Sequence, residues 1–437
     1  DVKPKGKIIP ETAEDFSTII HYWLDQIEKG RDDVIIPNPE VMTTLEMFAD
    51  DLNATLASNF GYTSIYVGSA INKNQATYKT LYSVIKDCNM VIGNMDDTES
   101  DLARTLLGTA WSIRSICYYN LMQRYCEPYQ PETAKETLGL PLVDDFDMEA
   151  KPARANLKET AEFIEEGFRK ALSYNVSNED FIFTSSVTKA YFARFFFWTQ
   201  NWSSAITYAK EVLEKYPMLE ADEYVEAINQ KQAKAHNVII RSFTMDDDIG
   251  TMSYATAQAD IKSRPVDRNL VDLFAATDND VRRKCNYDSK RIVNKIITTK
   301  FRSEELCLII AEAHAHLNQE TDALGYLNQL RSKRITQNYI AYTIDNLPEV
   351  FQQNIKTDAT GIPLTKLMSA ILCERRKELF VEGDRWFELK RNGRPEFWVA
   401  AKGKKFITEK YLYTFPIPKA DIRLFPDLLI QNPGYIE

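Results

Sequence analysis

The chain has 437 residues, 44% hydrophobic and 27% charged, with Lys+Arg 53 against Asp+Glu 63 and a formal net charge of −10. That balance excludes a partner gripped by its phosphate backbone, which needs a basic face, so no nucleic acid is expected. Scarce Gly (15) beside 22 Tyr and 22 Phe favours helices over turn-rich β structure, and no run approaches the roughly 20 apolar residues that span a bilayer.

In chain order, the opening DVKPKGKIIP carries no apolar signal core. That leaves a cytosolic protein or one whose leader has been removed. The segment 45–75 is polar and irregular. LLGTAWSIRSICYYNLMQRY (106–125) and LKETAEFIEEGFRKALSY (157–174) carry helical periodicity. The clearest helical pair begins near Thr188. Ala190, Ala193, Arg194 and Phe197 share one face, Gln200-Asn201 breaks the pattern, and Trp202, Ala205, Ala209 and Val212 mark a second helix that Pro217 stops. Small alanines at that spacing let helices approach closely, as in tetratricopeptide units. The design returns at 302–334, with Ala311 and Ala315, a turn at Asn318-Gln319, then Ala323, Leu327 and Leu330.

The expected fold is all-α, a tetratricopeptide-like scaffold of helical pairs in a single 1–437 domain. Pairs lie near 80–125, 157–215, 302–334 and 366–392; insertions occupy 45–75, 127–156, 217–300 and 335–365. The best strand signal is NVIIRSF at 237–243. Two or three short strands are expected and no large sheet.

Nothing nominates catalysis. There is no GxSxG, glycine-rich phosphate loop or HExxH. His314 and His316 are two apart on a helix and face different ways, so they cannot share a metal. Asp246, Asp247 and Asp248 lack the ligand spacing and glycine of a calcium loop. The six cysteines form no CxxC pair, and Cys117, Cys307 and Cys373 sit in apolar helical patterns where a thiol packs as a small hydrophobe. No enzyme activity, cofactor or metal is expected.

The segment CERRKELFVEGDRWFELKRNGRP (373–395) stands apart. Acid and base alternate within one turn, so Arg375, Arg376, Arg385 and Arg391 are expected to pair with Glu374, Glu378, Glu382 and Glu388 and clamp the C-terminal helices to the scaffold. Gly383 permits a turn, and Asn392-Gly393 ends the second helix.

This block resembles the most distinctive motif of the SusD/RagB family, which reads close to ERR-x-EL-x-x-EG-x-RW-x-DLKR. GTAWSIRSICYYNLMQRY (108–125) with GLPLV (139–143), TKAYFARFFFWTQNWSSAITYA (188–209), LVDLFAATDNDVRR (270–283), the 301–334 repeat and YTFPIPKADIRLFPDLLIQNPGY (413–435) follow the family's order. WSIRSI in the first repeat and Cys126-Glu-Pro after Tyr125 depart from it. The resemblance implies a lipoprotein acylated just upstream of Asp1, facing outward from a cell outer membrane. It would cap a SusC-like TonB-dependent transporter as a hinged lid and deliver an oligosaccharide or, in RagB-like members, a peptide. A lipid anchor would be its only hold on the membrane. A plain tetratricopeptide adaptor for a protein partner is the remaining reading, and the two specific blocks count against it.

Sugar rings present apolar C–H faces and hydroxyls, which call for exposed aromatic platforms beside Asn, Asp, Gln or Arg. The insertion NFGYTSIYVGSAINKNQATY offers Asn59, Tyr62, Tyr66 and Asn72; the later insertion offers Phe243, Asp246, Asp247 and Tyr254. The ligand site is therefore expected on 45–75 and 217–260. Trp111, Trp198, Trp202 and Trp386 sit in scaffold helices, which leaves Trp23 and Trp398 outside them. Few exposed tryptophans and the negative charge lean toward a basic peptide.

Overall fold

The structure, a computed structural model, describes residues 10–31, 34–58, 67–73, 77–145, 153–228, 230, 235–241, 248–275, 279–297 and 300–435. Helix α1 (Ala13–Glu28) begins at Thr12, whose hydroxyl accepts from the Asp15 amide while Asp15 reaches back to the Thr12 amide. This reciprocal box satisfies two amides that a first turn leaves open. α2 (Pro39–Phe48) opens on an Asn38 cap with proline at its first position, where a missing amide costs nothing. α3 (Tyr78–Asn94) lies against α4 (Asp101–Tyr125), whose flanks are buried on almost every side; a helix that apolar and covered belongs in the middle of a stack. α5 (Leu157–Ser173), α6 (Ser185–Trp198) and α7 (Trp202–Lys215) extend it.

The 217–300 insertion carries α8 (Ala221–Ile228), α9 (Asp248–Lys262), α10 (Arg268–Val271) and α11 (Val281–Asn286). The stack resumes with α12 (Ser303–His316), α13 (Glu320–Ser332), α14 (Lys366–Glu378) and α15 (Arg385–Arg391), and the tail holds α16 (Lys419–Leu424). Each scaffold helix packs on the next, α3 on α4 and so on to α7; α7 then meets α12, which packs on α13 and α14. The expected helical architecture is thus present. The turns read from the sequence have a backbone reason: Gln200 and Asn318 take φ of +63° and +58°, and the Asn201 side chain caps α7 by accepting from the Ser204 amide. The Gln200 amide group donates to the Tyr129 and Ala359 carbonyls, so one turn pins two insertions.

Strands among the described residues pair two by two, all antiparallel: β1 (Leu138–Pro141) with β2 (Arg154–Asn156), β3 (Val238–Arg241) with β4 (Lys300–Arg302), and β5 (Phe397–Ala401) with β6 (Lys404–Thr408). β3 is the strand expected in NVIIRSF. All six cysteines are free thiols, Cys373 half-buried and the others buried. No helix among the described residues is long and apolar enough to cross a membrane.

The α7–α12 contact holds a titratable group. The His316 ring stacks on Trp202 at 4.0 Å and 16°. Burial pushes its pKa down to about 4 from 6.5, against the partial opposition of Asp358. The native imidazole takes its proton at lower pH than the unfolded one, so its contribution is full above pH 6.5 and is lost as pH falls toward 4. The loss amounts to about 3 kcal/mol. A His316→Phe variant, which keeps the stack, is expected to lose this part of the acid slope; urea midpoints on either side of the window measure it, and an unchanged slope would refute the assignment.

The 374–391 block does clamp the scaffold, but mostly through distant partners. Glu378, fully buried, accepts from Arg282, Arg302 and Arg334 at 2.6–3.0 Å. Glu374 pairs with Arg282, and Glu382 with Arg302. Glu304 joins the cluster through Arg334 and takes hydrogen bonds from Asn237 and the Leu219 amide, tying the 217–300 insertion to α12 and α14. On the other side of α14, Arg376 binds Asp51 and Arg385 binds Asp50, each at 2.6 Å. Burial at Asp50 is outweighed by Arg385 and Arg376, which hold its carboxyl well below the usual range. Arg391 reaches Glu312 and Glu388, while Arg375 reaches Asp384, Glu388 and Glu305. A helix interior without water leaves these charges no alternative to pairing.

Candidate functional site

The clamps set the two insertions side by side. Just past the Asp50–Asp51 anchor the chain runs antiparallel to residues 263–267. Leu52 bridges Val266, the Asn53 amide donates to the Pro265 carbonyl at 2.7 Å, and the Ser58 amide to that of Ser263 at 2.8 Å. The Thr55 hydroxyl donates to the Ala400 carbonyl at 2.7 Å, which joins this segment to β5. Gly68 then opens a 3₁₀ turn to Lys73. Its φ is +52°, and a Cβ there would lie 2.6 Å from the Ile407 backbone nitrogen. Only glycine allows that approach, so the turn lies flush on β6.

The 45–75 insertion thus lies along the 217–300 insertion at residues 263–267, and its Thr55 and Gly68 turns lie on the β5–β6 hairpin. Asn59, Tyr62, Tyr66, Phe243, Asp246 and Asp247 fall outside the described residues, and Asn72 is described in its backbone only. Tyr254 needs correction. It was read as an exposed loop aromatic, yet it lies on α9 and is 7% exposed. Its hydroxyl meets Gln258 at 3.1 Å, and its ring belongs to an apolar cluster with Met42, Leu52 and Ile261. Residues 254, 257 and 261 share the helix face turned to α2, so packing claims the ring.

What the loops do not show, the hairpin does. Trp398 is 59% exposed, with Ile407 opposite it across the ladder and also exposed. Lys405, diagonal to it, sets its ammonium 4.8 Å from the indole centroid. Of the two tryptophans outside the scaffold pattern, Trp23 is half-buried and spends its N–H on Asp87 at 3.0 Å. The hairpin itself was not anticipated. Its signal was there: Phe397 and Val399 alternate with Trp398, and Lys402-Gly403 make the two-residue loop with φ of +51° and +70° that such hairpins favour.

Among the described residues no cluster of His, Cys, Asp and Glu is arranged to hold a metal ion. The cavity between α4, α6, α12 and α15, about 110 Å³, is lined by Arg194, Glu305, Arg375, Glu388 and Arg391. Those groups already pair with one another, so it belongs to the scaffold. The exposed chemistry is a flat indole with one ammonium group beside it, an arrangement suited to binding a ring.

Known proteins share this fold. The family model described as "SusD family" matches residues 281–435, and one described as "Starch-binding associating with outer membrane" matches 1–197. No curated protein matches the chain. Among solved structures, a putative sugar binding protein from Bacteroides vulgatus superposes with a TM-score of 0.75 at 18% identity, covering 98% of this chain and 100% of that one. A SusD superfamily protein from Bacteroides thetaiotaomicron gives 0.74 at 18%, with 97% and 100% covered. A laminarin-binding SusD-like protein gives 0.62 at 16%, with 97% and 99% covered.

Proposed function

Since the chain belongs to the SusD-like family, we propose that it is a glycan-binding protein of the outer-membrane surface, not an enzyme, which captures oligosaccharides and passes them to a SusC-like TonB-dependent transporter. A lipid anchor upstream of Asp1 would hold it there facing outward. One observation carries the glycan reading: Trp398, 59% exposed, stands where the hairpin and the 45–75 insertion meet. An aromatic platform of this kind stacks on the apolar face of a sugar at low ordering cost, because its side chain has only two torsions. Asn59, Tyr62, Tyr66, Phe243 and Asp246 are proposed to complete the site on the sequence argument alone.

Calorimetric titration with neutral and charged oligosaccharides tests it. Trp398→Ala should weaken the tightest ligand by about tenfold or more, the loss of one stacked ring, with the denaturation midpoint unchanged. Tyr62→Ala with Tyr66→Ala should weaken it further. Binding that survives all three changes would put the site elsewhere. The net charge of −10 supports the alternative, a RagB-like peptide lid; selective binding of basic peptides in the same titration would favour it. Co-purification of a SusC-like barrel with the lipidated protein checks the partner.

A further inference from the structure

The hairpin is a basic island on an acidic chain. From Phe397 to Thr408 it holds Lys402, Lys404 and Lys405 and no carboxylate, while the whole chain carries −10. Lysines on a strand often serve only to keep a free edge from pairing with other chains. That need is small here. The 54–56 turn is hydrogen-bonded onto β5 through Thr55, and the backbone at Gly68 lies on that of Ile407 in β6. Lys404 and Lys405 are exposed and make no ion pair among the described residues; the only partner of Lys405 is the indole of Trp398.

We infer that the glycan is anionic, bearing uronate carboxylates or sulfate groups, with Trp398 as the stacking platform and Lys405 as the charge partner on the same face of the hairpin. This rests on the glycan-capture reading above. A pyranose stacked on the indole carries its exocyclic carboxylate at the ring's rim, and the Lys405 ammonium lies 4.8 Å from the indole centroid. Trp398, Ile407 and Lys405 share one face because their strand positions face each other in register, 398 with 407 and 400 with 405. The ladder therefore holds ring and charge together before any ligand arrives. An exposed cation–π contact is weak beside a charge-assisted hydrogen bond, so the ammonium leaves the indole for a carboxylate at little cost. The net charge of −10 repels polyanions at long range, so the Lys405 ammonium beside the platform supplies the local attraction such a ligand needs.

The test uses the full chain in retardation gels containing polygalacturonate, alginate or chondroitin sulfate, against methyl-esterified pectin and laminarin, followed by calorimetry on the best ligand. The expected result is retardation by at least one anionic glycan. Its affinity should fall with added salt and drop about tenfold or more in Lys405→Glu, the loss of a charge-assisted contact, while Lys404→Glu, on the other face, should change it far less. Esterified pectin should bind worse than its acid form if polygalacturonate is the ligand. Binding of a neutral glycan that Lys405→Glu leaves unchanged would overturn the charge assignment and keep glycan capture. Binding of no glycan in either panel would overturn both. Capture of phosphatidylglycerol vesicles through these lysines, with no glycan retarded, would also overturn it.

Discussion

Replacing Glu378 by Gln is expected to cost about 3–5 kcal/mol, the range for removing one partner of a buried ion cluster. That is a large part of the 5–15 kcal/mol by which domains are typically stable, so the variant should be marginal or insoluble. The carboxylate accepts from Arg282 at 3.0 Å, Arg302 at 2.6 Å and Arg334 at 3.0 Å, and no water reaches it. Burial opposes its ionisation, but Arg334, Arg302 and Arg282 outweigh that and hold it well below the usual carboxylate range. A group with a depressed pKa gives stability that is full above the unfolded value and lost only as pH falls through the folded one, here in strong acid. In the Gln variant three guanidiniums lose their shared anion. Glu220→Gln is the control. Its exposed carboxylate pairs with Lys333 on the surface, where such pairs contribute about 0–1 kcal/mol. Denaturant midpoints for the two variants should separate sharply, and similar small shifts in both would show that the Glu378 cluster is not a clamp.

Trp386→Ala is expected to cost a similar amount, about 3–5 kcal/mol for a large aromatic truncated in a packed core. Trp386 is 1% exposed, stacked on Tyr413 at 4.5 Å and edge-on to Phe48 at 5.3 Å, with Phe415 beyond. It joins α15 to the end of α2 and to the tail, so its removal opens a cavity where three segments meet. The protein that remains folded should bind glycan as before. Trp398→Ala should do the reverse, losing ligand and keeping its midpoint. A well-folded Trp386→Ala protein with selectively lost binding would overturn the division between scaffold and site tryptophans.

The helical scaffold was legible in the sequence because its signals are local. Apolar spacing on α6, α7, α12 and α13, the polar breaks at Gln200 and Asn318, and the strand run before Phe243 each depend on residues within a turn or two. The EGDRWFELKR block was legible as a clamp for the same reason, since its charges alternate too regularly for a solvated face. Arg375 and Arg391 do reach Glu388 within the block, but most of its partners were not legible. Spacing along α14 suggested pairs within the block, yet Arg376 reaches Asp51, Glu378 reaches Arg282 and Arg334, and Arg391 reaches Glu312. A side chain on a buried helix points away from its own neighbours into the next element, so packing order chooses its partner. Tyr254 shows the same limit from the other side: a segment read as loop folded as α9, and one helix face took the ring into a core that the sequence did not display. The sequence by itself determined the helices, their pairing turns and the family they resemble. Only the tertiary structure decided that two insertions and a late hairpin converge, and that Trp398 is the tryptophan left in water, because exposure is set by which surfaces the neighbouring elements cover.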